Sequence, residues 1–127
     1  MSGKNYAPSA LVGTTSDAER RPFVRALAVG EPHEWQRQGH TLPKEGLAFI
    51  AFHEVTQTTL DYLSPRAVFS PVLAKSFDCI DLALELNRLG FSGEYRAISR
   101  DLPNPNVIER EVRQLCPHLD FKLIESF

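Results

Sequence analysis

His53 and Glu54, in the stretch "LAFIAFHEVTQ", set an imidazole that titrates near neutral pH beside a carboxylate that could orient it. Neighbouring residues on a helix point about 100° apart, so the two form no dyad with each other and a base here needs partners from elsewhere. Lys75, Ser99 and Arg100 supply them in type: two cations and a hydroxyl able to hold a small anion. The loops that carry these residues, 52 to 54, 70 to 77 and 99 to 105, contain no glycine, whereas phosphate-cradling turns use glycine for close backbone approach. Together the five residues imply a small-ligand site, for an anion or nucleotide, or a small enzyme, as the alternative to a chain without chemistry.

Other reactive types fall short of a motif. "HEVTQ" lacks the second histidine of a zinc-binding His-Glu-x-x-His helix, and Cys116-x-His118 is half a site. His33 and His40 flank Trp35 without a ligand pattern. Ser70, followed by Pro71, lacks the sharp small-residue turn of a hydrolase nucleophile. Cys79 and Cys116 fall on core-facing helix positions and read as reduced apolar fillers. The expectation is no metal and no cofactor.

Fourteen basic residues are scattered among 16 acidic ones, with a net charge of −2, so no basic footprint for a phosphate backbone is present and nucleic acid is not expected as a partner. No apolar run approaches the roughly 18 residues that span a bilayer, and "MSGKNYAPSALVGTTSDAERRPF" has no signal-peptide core, which predicts a cytoplasmic protein with no membrane partner.

The elements that must position these residues are strands alternating with helices. Residues 1 to 22 have the composition of a flexible tail, and 23 to 127 suffice for a single domain. "FVRALAV" (23 to 29) alternates weakly and predicts one strand, or a hairpin with the residues up to 45. "LAFIAF" (47 to 52), "AVFSPVL" (67 to 73), "EYRAIS" (94 to 99) and "LDFKLI" (119 to 124) read as strands. Helices are expected over "HEVTQTTLDYL", stopped by Ser64-Pro65; after Asp78 as N-cap, with Gly90 at C′; and after Asn104-Pro105, with Glu109 and Arg113 paired at i,i+4. The pattern predicts an α/β fold: a three-layer, open, mainly parallel sheet of four to five strands with three to four helices. Crossovers of one hand that all step the same way would put every helix on one face, so either the strand order reverses or residues 1 to 45 or a second subunit cover the other.

The ungapped stretch 65 to 99, "PRAVFSPVLAKSFDCIDLALELNRLGFSGEYRAIS", resembles the third strand, third helix and fourth strand of a response-regulator receiver domain, a flavodoxin-like fold. Asp78 matches the Asp of the family's Gly-Met-Asp-Gly turn and Ser99 the small hydroxyl residue that ends its fourth strand. Pro71 stands where the family carries its phosphoryl-accepting Asp, His53-Glu54 follows the first strong strand in place of an acidic pair, and the last strand lacks the family's Lys. A proline has no carboxylate to phosphorylate, and without a carboxylate cluster a hard Mg²⁺ ion is held poorly. About 14 residues separate "LAFIAF" from the strand of Pro71, so the family's second strand is missing unless "FVRALAV" replaces it.

The resemblance implies a degenerate receiver-like module with regulatory, signalling-type work done by contact with a protein partner or by homodimerisation. A last strand with no following helix leaves apolar surface to cover, which places the expected interface on Val107, Glu111, Phe121 and Lys122.

Overall fold

The computed structural model describes residues 24–35, 42–43, 45–99 and 103–125. The tail expected over 1 to 22, Arg100 and His40 lie outside the described residues. Within them the chain forms β1 (Ala26–Val29), β2 (Leu47–Ile50), α1 (Gln57–Leu63), β3 (Ala67–Pro71), α2 (Cys79–Arg88), β4 (Glu94–Ser99), α3 (Pro105–Leu115) and β5 (Asp120–Glu125), with short 3-10 turns at Pro32–Trp35 and Phe52–Glu54.

The five strands are all parallel and ordered β2-β1-β3-β4-β5, the order of flavodoxin-like doubly wound sheets. The first strand thus lies within "FVRALAV", at Ala26–Val29, and the second within "LAFIAF", at Leu47–Ile50, so no strand is missing between the first and that of Pro71. No hairpin joins them among the described residues, because β1 and β2 pair in parallel with Ala26 opposite Leu47.

The order answers the question of coverage. The chain steps one way from β1 to β2 and then back across β1 for every later strand. Right-handed crossovers put α1, α2 and α3, which follow β2, β3 and β4, on one face. Leu60 and Leu63 of α1, Leu82 and Leu86 of α2 and Val112 of α3 pack there against Leu27, Val29, Val68, Tyr95 and Phe121 of the sheet. On the second face Trp35 and Leu42 of the β1–β2 connection close over Ala28 and Ile98, while Phe49 and Lys122 stay exposed. The result is a three-layer α/β sandwich.

Local chemistry sets the helix bounds. Glu54 Oε1 accepts the Ala51 N–H at 2.8 Å and Thr56 Oγ1 accepts the Thr59 N–H at 3.2 Å, so α1 begins after Thr56. His53 therefore sits in a 3-10 turn and not on the helix that the apolar spacing predicts. Ser64, left-handed at φ 46°, ends α1 before Pro65, and Gly90 follows α2 at φ 75°. Asp78 caps α2 as expected, with a reciprocal bond from its own N–H to Asp81. Gly93 is required by close approach: a Cβ there would lie 2.3 Å from the Arg66 carbonyl oxygen, where the chain enters β3.

Candidate functional site

In a doubly wound sheet the ligand crevice opens at the carboxyl ends of the strands where the order reverses, here between β1 and β3. The residues that follow β1 are Gly30 and Glu31, so these, and not His53-Glu54, stand after the first strand. Gly30 adopts φ 138° and donates its N–H to the Ile50 carbonyl at 2.9 Å. Across the crevice β3 ends at Pro71, which is buried and offers neither a side-chain oxygen nor a backbone N–H.

The β3–α2 loop beside it is closed by backbone hydrogen bonds within itself and to β4. Val72 N–H donates to the Ile98 carbonyl at 3.0 Å, Ala74 N–H to Phe77 at 2.9 Å and Cys79 N–H to Val72 at 2.9 Å. The N-terminus of α2 is also occupied: Asp78 Oδ1 takes the Asp81 N–H at 2.9 Å and Asp81 Oδ2 the Asp78 N–H at 3.0 Å. Two carboxylates held there repel an incoming anion where a free helix terminus would attract one.

Beneath the loop lies a polar cluster that motif reading passes over. The hydroxyls of Ser70 and Tyr95 are 2.6 Å apart and both residues are fully buried. Ser70 Oγ donates to the Pro71 carbonyl at 2.9 Å, which assigns the Tyr95 proton to Ser70, with the Cys79 carbonyl a longer alternative at 3.4 Å. The signal was register: Val68 is opposite Tyr95, so Ser70 is its diagonal same-face neighbour, within reach of a tyrosine. Burial raises the Tyr95 pKa well above the phenol range. Burial, helped by Asp78, pushes the Cys79 thiol up to about 12, and burial also raises Cys116, whose Sγ donates to the Ala83 carbonyl at 3.6 Å. A sealed serine and two protonated thiols pin the loop and helices; they offer no nucleophile.

The expected ligand residues occupy separate places. His53 is exposed in the turn after β2, and Glu54 beside it is spent on the Ala51 N–H. Ser99 is buried at the end of β4, with β1 and β3 between it and β2, a separation of roughly 14 Å at ordinary strand spacing. Lys75 is exposed in the β3–α2 loop. A cleft of about 410 Å³ lies at the opposite end of the sheet, between the end of α1 and the start of β4, lined by Gln57, Asp61, Arg66, Leu89, Phe91 and Gly93.

The expected interface also separates, because alternate residues of a strand face opposite ways. Val107 and Glu111 are exposed on α3, but Phe121 is buried with its ring 5.1 Å from that of Tyr95. Lys122 is exposed on the second face of the sheet, beside Arg96, which bonds Asp120 Oδ1 at 3.2 Å. Glu109 does not pair with Arg113; its Oε2 accepts the Leu123 N–H of the edge strand at 2.9 Å. No group of three or more histidine, cysteine or acidic side chains is placed to share a metal ion among the described residues. No described helix is long and apolar enough to cross a membrane.

Compared with known proteins, the chain matches no family model, no curated protein and no solved structure.

Proposed function

We propose that this chain is a noncatalytic, receiver-like module that acts by protein contact or self-association. The observation that carries the reading is Pro71: it ends the central strand β3 at the switch point, where a receiver places its acceptor carboxylate, and has no ionisable oxygen. The closed β3–α2 loop and the two acids on the α2 N-terminus support it, since they take up the Ala74, Asp78, Cys79 and Asp81 N–H groups that could otherwise receive a phosphoryl group. Leu84, Val107 and Leu115, exposed on α2 and α3, support a contact role, because a partner seated there would remove their apolar surface from water.

The test is phosphoryl transfer. Incubation with acetyl phosphate and Mg²⁺, followed by intact-mass measurement and by assay of donor consumption, should leave the mass unchanged and the donor decaying as in buffer. A mass gain of one phosphoryl group, or accelerated donor loss, would overturn the reading.

A further inference from the structure

Large apolar side chains left exposed among the described residues are Phe49, on the second sheet face, and Leu73, Leu84, Val107 and Leu115, all around α2 and α3. Leu84 is 43%, Val107 55% and Leu115 46% exposed. The two helices meet at Ala83, whose carbonyl receives the Cys116 Sγ bond, and on its other side α3 reaches the edge strand through Glu109, which accepts the Leu123 N–H of β5. The side of α3 that carries Val107, Glu111 and Leu115, spaced four residues apart, therefore turns toward α2. Leu84 follows Ala83 and Leu115 precedes Cys116, so the Ala83–Cys116 contact sets the two leucines near one level of the same seam.

The flanks of the seam differ in sign. On the α1 side, α2 carries Asp81 and Glu85, the latter paired to Arg88. On the β5 side, α3 carries Arg110 and Arg113, both exposed, while Glu109 is turned away to the Leu123 N–H. The seam sets Leu84, Val107 and Leu115 around Glu111, between one acidic and one basic flank, and a two-fold axis along it sets the arginines of each copy over the flanking carboxylates of the other.

We propose that the α2–α3 seam is the interface of a two-fold homodimer, a second copy of this chain being its occupant. The proposal rests on the protein-contact reading and names its partner. Exposed Leu84 and Leu115 form the buried centre of the dimer, and Arg110 and Arg113 set its register.

Light scattering coupled to size-exclusion chromatography, over a wide concentration range, tests it. The wild-type chain should run at twice the monomer mass, Leu115→Glu should be a monomer, and Phe49→Glu, on the other face, should remain a dimer. Arg110→Glu with Arg113→Glu should lose the dimer, and mixing it with Glu85→Lys should restore one. Circular dichroism checks that Leu115→Glu is folded, and the charge variants carry the test if it is not. A strict monomer at every concentration, a higher assembly, or a dimer broken by Phe49→Glu and not by the seam variants would overturn the homodimer. A monomer that still takes up no phosphate overturns the homodimer alone, whereas phosphoryl uptake overturns the reading beneath it.

Discussion

The hydroxyls of Ser70 and Tyr95 meet 2.6 Å apart inside the core, 25 residues apart in sequence, and through the Pro71 and Cys79 carbonyls they tie β3, β4 and the start of α2 into one unit. The bond makes the carboxyl end of the central strand a structural joint, and its two partners differ in what they lose when the other is removed. Ser70→Ala leaves the Tyr95 hydroxyl buried with the distant Cys79 carbonyl alone, a cost of about 1–3 kcal/mol; Tyr95→Phe leaves Ser70 still donating to Pro71 and costs about 1 kcal/mol for the bond. Urea denaturation of both single variants and the double variant should show the serine change as the larger and a coupling of at least about 0.5 kcal/mol.

Alkaline pH should loosen the same joint. The Cys79 and Tyr95 pKa values are raised in the folded chain, so the stability they represent is fully present below the unfolded thiol value near 9.0 and is lost as pH rises toward about 12. Chemical denaturation between neutral pH and the alkaline limit should show a decline that begins near the unfolded thiol value, with Cys79→Ala flattening its first part. At neutral pH neither cysteine should react with a thiol reagent until the chain unfolds.

Glu109 guards an edge. Its carboxylate takes the Leu123 N–H of β5, a strand whose outer groups would otherwise be open to pairing with another chain. Glu109→Ala should destabilise the fold by roughly 1–2 kcal/mol and raise its tendency to aggregate, while Arg113→Ala should change stability by less than about 0.5 kcal/mol. Thermal unfolding with turbidity recorded alongside separates this from an i,i+4 ion pair, for which the two changes would weigh alike.

Gly93→Ala should cost roughly 1–3 kcal/mol, because its methyl group would overlap the Arg66 carbonyl at the junction of β3 and β4. Gly90→Ala, where a Cβ meets nothing within 4 Å, is limited to the strain of its φ of 75° and should cost less. Denaturant midpoints of the two variants measure the difference.

β2, β3 and the two longer helices were legible because each carries its own signal: continuous apolar runs for the two strands, and Asp78 and Asn104-Pro105 as helix starts. β1 was faint, since a four-residue Ala-Leu-Ala-Val strand shows no alternation when both faces are buried, and misjudging its rank put His53-Glu54 in the place of Gly30-Glu31. The split of α1 from the His53 turn escaped notice because apolar spacing ran through Val55 and only the Thr56 and Glu54 caps broke it. The uncovered last strand suggested one interface for both Phe121 and Lys122, although period-two geometry puts them on opposite faces. The Ser70–Tyr95 contact depends on strand register, which no local stretch of sequence encodes.

Amide NMR of the chain titrated with Mg²⁺ and acetyl phosphate bears most directly on the claim that the switch-point crevice has lost its chemistry. The amides of Gly30, Glu31, Val72 and Ser99, which line the carboxyl ends of β1, β3 and β4, should keep their positions throughout the titration. Saturable shifts confined to those amides would contradict the account.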